Sequence, residues 1–379
     1  MKKIASYNLA KNISVLYCLS VFIQPVLAYD YESELKTASE LLSSGQWNKS
    51  KQIYNDIINY KIKQHRYDLE LAQAYTKLSD LEKIRGNFPK SIYYLQNAIY
   101  LKQKISGPAS VINQISALSD LFNKIGQSEY SSNLNQKIVS YVIKQLRLSD
   151  NINVQTLDCE ALNNIPVNLG SNPVLKENSL EWASIVDKIG DYNRSKHNFN
   201  DCLKCYNLSL LLRLKATSGK HLALSQSFDK LGQLHLETGN YKLAKTYYFK
   251  SYEMSKSILG SNRIETINRG INLAKSYIAS KDNKQGSNLL LDQYNICKNA
   301  YGLNSVYLAN IEYELAQTCD STKAKDYLSH AINVLEKNFG PSNAKLVPYL
   351  DLYGQILSKT NENDKANKLI ARSKSIQGL

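Results

Sequence analysis

A nine-residue pattern recurs along the 379-residue chain and constrains its fold more than any other feature. The stretches 78–86, 118–126 and 231–239 each carry leucine at the first and fourth positions, a small residue at the second and glycine at the ninth. The stretch 182–190 fits the same frame with tryptophan and isoleucine in place of the leucines. After each glycine, apolar residues recur at spacings of three and four, which predicts a second helix with one apolar face. The pattern therefore predicts a repeated pair of helices joined by a tight turn.

The turn residue of this frame recurs eight times, at steps of 38 to 64 residues. The predicted turn residues are Gly45, Gly86, Gly126, Gly190, Gly239, Lys281, Cys319 and Asn361. Five residues later the side chain is always small: Ser50, Ser91, Ser131, Ser195, Ala244, Gly286, Ala324 and Ala366. Nine residues later it is large and apolar in all copies but one: Tyr54, Leu95, Asn135, Phe199, Tyr248, Leu290, Leu328 and Ile370. We expect the small residue to let the two helices approach closely, and the large one to fill the space between neighbouring pairs.

The frame resembles the tetratricopeptide repeat, in the longer form of about 42 residues found in kinesin-light-chain-like arrays. The fifth copy carries the resemblance most fully, through Phe228, Leu231, Gly232, Gly239, Tyr241, Ala244, Tyr248 and Ser251. A glycine also marks the end of several repeats, at Gly219, Gly260, Gly302 and Gly340. The resemblance implies an all-α fold, a right-handed α-solenoid of about eight antiparallel helix pairs. Because the last two of these glycines are four residues too close, one turn of the first helix in repeat seven is expected to be missing.

The N-terminal 28 residues predict a signal peptide. Lys2, Lys3 and Lys11 precede an apolar stretch, 13–27, and small residues at Val26 and Ala28 suit a signal peptidase. We therefore expect an exported protein, periplasmic or secreted. An uncleaved N-terminal membrane anchor is the alternative, although the apolar stretch is shorter than the ~20 residues that a spanning helix needs.

The remainder divides into three parts. Residues 29–148 are predicted to hold repeats one to three, and residues 178–379 repeats four to eight. Between them, residues 149–177 are rich in asparagine and proline, which predicts an irregular insertion or linker. The step between the third and fourth turns is 64 residues, which makes this segment an insertion of about 23 residues relative to the repeat period. Three roles remain open for it: covering a groove, acting as a hinge between sub-arrays, or simply lacking order.

No catalytic signature is present, so neither an enzyme nor a bound cofactor is expected. The chain contains no nucleotide-binding glycine fingerprint, phosphate loop, zinc-protease motif or nucleophile elbow, and its five histidines are scattered. The pair Cys202 and Cys205 has a spacing that suits a metal, but Cys202 falls at a small core position, so we interpret it as packing. The chain without its first 28 residues keeps five cysteines, at 159, 202, 205, 297 and 319. This odd set is no disulfide framework, although one bridge from Cys159 to Cys202 or Cys205 remains open.

The formal net charge of +14 makes an anionic partner plausible. The lysines are scattered rather than clustered, however, so we interpret them as a solvated basic surface. Nucleic acid is not an expected partner, and any membrane contact is expected to be peripheral at most.

The resemblance also implies a concave groove, lined by the first helix of each pair, that binds a protein or peptide. The positions that face the groove in the family correspond in this sequence to Gln226, Lys230, Gln233, Asn268, Asn272 and Lys275. Amides can bond the backbone of an extended peptide, and lysines can meet a carboxylate. Since Gln226 stands where the family's carboxylate-binding variant has lysine, a receptor for a terminal carboxylate is not expected.

The expected function is therefore a non-catalytic exported scaffold or adaptor that binds a protein or peptide partner in the groove. The alternative is a structural or assembly factor of the cell envelope. Such a factor would hold an anionic polymer or a membrane surface on its basic face.

Overall fold

The computed structural model describes residues 30–146 and 173–378, with the side chains of 173–178 outside that description. In these ranges the chain forms sixteen α-helices and no strand. The helices are α1 (Tyr31–Ser43), α2 (Trp47–Lys63), α3 (Leu69–Ile84), α4 (Phe88–Ser106), α5 (Ile112–Lys124), α6 (Ser128–Gln145), α7 (Pro173–Ser195), α8 (Phe199–Ala216), α9 (Leu222–Glu237), α10 (Tyr241–Leu259), α11 (Ile264–Ala279), α12 (Asn283–Tyr301), α13 (Val306–Ala316), α14 (Ser321–Phe339), α15 (Val347–Lys359) and α16 (Asn363–Gln377). Odd-numbered helices are the first helices of eight pairs, and even-numbered helices are the second.

The chain divides into two compact units, one ending at Gly107 and the other beginning at Pro108. The first unit contains α1 to α4 and the second contains α5 to α16. Within each unit the two helices of a pair pack along each other, and each second helix packs against the first helix of the next pair. The predicted all-α solenoid of eight helix pairs is confirmed.

The turn inside a pair has one geometry in seven of the eight pairs, set by a residue in the left-handed conformation. At Gly239, for example, φ is +76°. Its N–H donates to the Leu236 carbonyl at 3.2 Å, while the next N–H, of Asn240, donates to the His235 carbonyl at 2.8 Å. These two bonds satisfy carbonyls that the end of a helix leaves unpaired, and glycine adopts the required φ without steric cost.

The connections between pairs also share a recurring backbone geometry. Gly260 ends α10 with φ +86° and ψ 165°, a region of the backbone map open essentially to glycine alone. Three other glycines share this conformation within a few degrees: Gly107, Gly302 and Gly340. Three of the four glycines predicted at repeat ends, Gly260, Gly302 and Gly340, therefore have a conformational reason in the fold.

The small position predicted five residues after each turn is buried in seven pairs. The residues are Ser50, Ser91, Ser131, Ala244, Gly286, Ala324 and Ala366. Where it is serine, the hydroxyl bonds across the pair: Ser50 Oγ donates to the Ala38 carbonyl at 2.7 Å, and Ser91 Oγ to the Ser79 carbonyl at 2.8 Å. These contacts show the close helix approach that the small side chain permits.

The predicted turn of pair four, at Gly190, is wrong by seven residues. Gly190 lies inside α7, and the turn is formed by His197, whose φ is +59°. His197 and Asn198 make the same two backbone bonds as Gly239 and Asn240, at 3.0 and 2.9 Å. Gly190 is a glycine for a different reason, since a Cβ there would lie 2.5 Å from the Tyr206 ring.

Two further assignments change with the corrected turn. The small and large positions of pair four are Cys202 and Tyr206, both buried, whereas the predicted Ser195 is exposed. His197 follows Gly126 by 71 residues. The step between the third and fourth turns therefore exceeds the repeat period by about 30 residues, rather than by the predicted number of about 23. Helix α7 begins at Pro173, inside the predicted insertion of residues 149–177.

The shortened first helix predicted for repeat seven is confirmed, because α13 has 11 residues whereas α9 and α11 have 16. Its turn also differs from the others, since no residue from 317 to 320 has a positive φ. The predicted signal peptide, Cys159 and most of the predicted insertion lie outside the described residues.

Candidate functional site

A pocket of about 260 Å³ opens on the first helices of pairs six, seven and eight. Helix α11 contributes Asn268, Ile271, Asn272 and Lys275, and α15 contributes Tyr349. Between them, α13 contributes Asn310, Tyr313 and Glu314. Every lining residue belongs to a first helix, as a groove on the first-helix side of a solenoid requires.

The pocket combines an apolar surface with amides that face it. Ile271 is buried, and the rings of Tyr313 and Tyr349 pack with their centroids 4.9 Å apart. The Tyr349 hydroxyl donates to Asn310 Oδ1 at 2.8 Å, which orients that amide. Asn268 and Asn310 are both exposed. Aromatic rings beside oriented amides form a surface that can hold a peptide backbone and one apolar side chain.

Three of the six predicted groove residues, Asn268, Asn272 and Lys275, line this pocket. Two of the three bond to a neighbouring repeat. Asn272 Nδ2 donates to Asp229 Oδ1 at 3.0 Å, and Lys275 Nζ lies 2.8 Å from Glu314 Oε1. These side chains therefore help to hold adjacent first helices together.

The other three predicted residues lie on α9, outside the pocket. Lys230 Nζ lies 2.6 and 2.7 Å from the two carboxylate oxygens of Asp191 on α7. Gln233 Nε2 donates to Glu237 Oε1 at 3.2 Å, and Gln226 is exposed. Both lysines proposed to meet a partner's carboxylate thus meet carboxylates of the chain itself.

Five pocket residues were not predicted from the sequence: Ile271, Asn310, Tyr313, Glu314 and Tyr349. A signal for two of them existed, because Asn310 follows Asn268, and Glu314 follows Asn272, by 42 residues, which is one repeat period. Carrying the groove positions one repeat further would have identified both. Tyr349 follows Asn310 by 39 residues, because the connections around the seventh turn differ from those of the other pairs.

Burial shifts the pKa of two carboxyl groups on first helices, Asp229 on α9 and Glu312 on α13. The pKa of Asp229 is raised by desolvation, although the hydrogen bond from Asn272 favours the ionised form. Desolvation also raises the pKa of Glu312, whose carboxylate oxygens both lie 2.8 Å from His330 Nδ1. Acidic groups on these first helices are therefore held in place by neighbouring polar side chains.

The family model for the tetratricopeptide repeat matches residues 182–257, which cover pairs four and five. No curated protein matches the sequence. The chain's structure is similar to that of the apo form of RapI, with a TM-score of 0.53 over 81% of this chain and 97% of that one, at 10% identity. The fold is that of a tetratricopeptide solenoid.

Two further solved structures are similar to this tetratricopeptide solenoid. A signal transduction ATPase from Pyrococcus horikoshii with a tetratricopeptide repeat sensor, PH0952, matches at 15% identity and a TM-score of 0.51. The match covers 93% of this chain and 54% of that one. A putative kinesin light chain with nearly identical repeats from Podosopora anserina matches at 13% identity and a TM-score of 0.45, over 62% and 98% of the two chains.

In the tetratricopeptide frame, Cys202 and Cys205 both lie in the core of pair four. Both are buried, and desolvation raises the pKa of each thiol to about 12. They are therefore protonated at neutral pH, as expected of cysteines packed in a core. In the described part of the chain, no three His, Cys, Asp or Glu side chains are grouped to hold a metal ion. None of the helices described is both long enough and apolar enough to span a bilayer.

Proposed function

We propose that the protein is a non-catalytic scaffold that binds an extended segment of a partner protein in the groove of α11, α13 and α15. The observation that carries this proposal is the pocket in which Asn268 and Asn310 lie beside the paired rings of Tyr313 and Tyr349. The match to a repeat family of protein-binding scaffolds supports the same class of function.

The charge of the groove selects among peptides. Helices α9, α11, α13 and α15 carry four basic residues and six acidic ones. Lys230 and Lys275 both bond to carboxylates of this chain, as described above. Since the one lysine that lines the pocket among the described residues, Lys275, is paired with Glu314, we propose a ligand segment that is neutral or basic, with one apolar side chain beside Ile271.

A random peptide library displayed on phage tests this proposal. We expect peptides selected on the purified protein to lack net negative charge and to slow hydrogen exchange in α11, α13 and α15. Protection confined to second helices, or selection of acidic peptides, would contradict the proposed groove.

Export of the scaffold is a separate proposal that rests on residues 1–28. N-terminal sequencing of the protein recovered from its native cells should begin at Tyr29. A chain that keeps its first 28 residues would support the alternative of an uncleaved anchor.

A further inference from the structure

Charge is divided between the two helices of each pair. In the first unit, α1 and α3 carry three basic and six acidic residues, whereas α2 and α4 carry seven basic and one acidic. In the second unit, the first helices carry eight basic and eleven acidic residues, and the second helices carry eighteen basic and seven acidic. The same division in both units shows that the excess of lysine is not scattered, contrary to the sequence-based interpretation.

The second helices of the second unit lie on the side opposite the groove. First helices of neighbouring pairs approach closely enough to be joined by side chains, as Asp229 joins Asn272. The second helices of neighbouring pairs approach each other less closely. We call this opposite side, formed by α6, α8, α10, α12, α14 and α16, the outer face.

The positive charge of the outer face is carried by lysine. Sixteen of its eighteen basic residues are lysine. Of the two arginines, Arg213 is buried and Arg372 lies 2.6 Å from Glu336. Lysine is a strongly hydrated point charge without the planar fork that arginine offers to individual phosphates. Such charges suit attraction to a broad anionic surface better than recognition of a polymer's phosphates one by one.

Exposed apolar side chains share the outer face. Among the described residues of the second unit, seven of the ten most exposed large apolar side chains lie on second helices: Tyr130, Tyr241, Phe249, Ile258, Leu291, Tyr301 and Phe339. Most of these are aromatic. Aromatic rings among lysines are typical of surfaces that rest in the headgroup region of a bilayer.

Helix α10 shows this combination most clearly. Phe249 is 51% exposed, and the spacing along the helix puts it on one face with Lys242, Lys245 and Lys256. Of the side chains on this face, only Glu253 is acidic. The helix therefore offers an apolar ring surrounded by positive charge.

We propose that the outer face, centred on Phe249 and its three lysines, docks the protein on a bilayer that contains anionic phospholipid. The positive charge attracts the outer face to the anionic headgroups. When the face contacts the bilayer, the exposed ring of Phe249 enters the headgroup region. This docking leaves the groove open, so it does not depend on the function proposed above.

Sedimentation with vesicles tests the proposal on the full chain. We compare vesicles of phosphatidylcholine alone with vesicles that also contain phosphatidylglycerol, because residues 13–27 would contribute to binding of both. Wild type should bind the anionic vesicles more tightly, and added salt should remove the difference. Equal binding to the two kinds of vesicle would overturn the proposal.

Two matched variants distinguish an effect of the outer face on vesicle binding from an effect of net charge alone. Replacing Lys242, Lys245 and Lys256 by glutamine should weaken binding to anionic vesicles about 100-fold, at roughly 1 kcal/mol for each lysine. Replacing Lys83, Lys188 and Lys359, exposed lysines on the first helices α3, α7 and α15, by glutamine makes the same change in net charge and should have little effect. Equal losses in the two variants would overturn the docking face, as would binding to a soluble polyanion such as heparin but not to vesicles.

Discussion

Gly232 lies against the ring of Tyr248, and a Cβ at position 232 would stand 2.8 Å from two of the ring carbons. The ring is buried, so it has little room to move. We therefore expect Gly232→Ala to lower the free energy of unfolding by about 2 kcal/mol, as overpacking of a core does. Urea denaturation measures the change.

A second substitution checks the cause of that loss. In pair six the equivalent positions are Ala274 and Leu290, which are both buried in the same core cluster. Adding Tyr248→Leu to Gly232→Ala should therefore restore part of the stability, so that the double variant is more stable than the sum of the single changes predicts. Strict additivity would contradict the packing described here.

The corrected turn of pair four makes opposite predictions for two residues. His197→Gly should stabilise the protein by up to about 1 kcal/mol, because glycine adopts a positive φ without steric cost. Gly190→Ala should destabilise it, since the Tyr206 ring occupies the space that the new methyl group needs. If Gly190 instead formed the turn, His197→Gly would place glycine inside a helix and would lower stability.

The ion pair of Arg213 and Asp187 is buried, with Arg213 Nη1 at 2.7 Å from Asp187 Oδ2. Arg213 Nη1 also donates to Ser209 and Ser227, at 2.9 and 2.6 Å. Removing one charge leaves the other buried without its partner, so Asp187→Ala should cost about 3–5 kcal/mol of stability.

The control for that prediction is the pair of Lys365 and Glu362, in which the Lys365 side chain is 74% exposed. Lys365→Ala should change the unfolding free energy little, because an exposed ion pair is screened by water. Equal changes in the unfolding free energy of the two alanine variants would contradict the conclusion that burial makes the Arg213–Asp187 pair more costly to break.

His235 links stability to pH. Its ring stacks on Tyr247 with centroids 5.5 Å apart, and burial lowers the pKa of the imidazole below its ordinary value of 6.5. The unfolded chain therefore takes up a proton at a higher pH than the folded one, so this residue's contribution is complete above pH 6.5 and is lost as the pH falls below it. His235→Phe keeps the stacked ring and should reduce the loss of stability between about pH 7.5 and about pH 5.5. The other four histidines are present in both proteins. If the loss of stability were the same in His235→Phe as in wild type, it would arise from those or other groups, and this role for His235 would be contradicted.

The fold could be predicted from the sequence because its repeat obeys local rules. Glycine at four of the turns, together with a small residue five positions after every turn, identified seven of the eight pairs. Pair four failed because glycine serves two purposes in this fold, a turn at Gly239 and a close contact at Gly232, and Gly190 has the second purpose. Only the contact between Gly190 and Tyr206 shows that Gly190 is a close-contact glycine and not a turn glycine.

The groove was predicted less well, for a physical reason. The sequence shows which residues face the groove side, and three of the six predicted ones do line the pocket. It does not show that Lys275 meets Glu314, or that Tyr349 meets Asn310, because both pairs form between repeats that are 39 residues apart. The division of charge was visible in the sequence, but only after each lysine had been assigned to a first or a second helix.

The affinity of a selected peptide for two double variants tests the central claim most directly. Asn268→Ala with Asn310→Ala removes the exposed amides of the pocket, whereas Asn288→Ala with Asn299→Ala removes exposed amides from α12. Fluorescence anisotropy should show a loss of about 30-fold for the first variant, at roughly 1 kcal/mol for each hydrogen bond, and no change for the second. Undiminished binding by a folded Asn268→Ala, Asn310→Ala protein would contradict the proposal that this groove is the binding site.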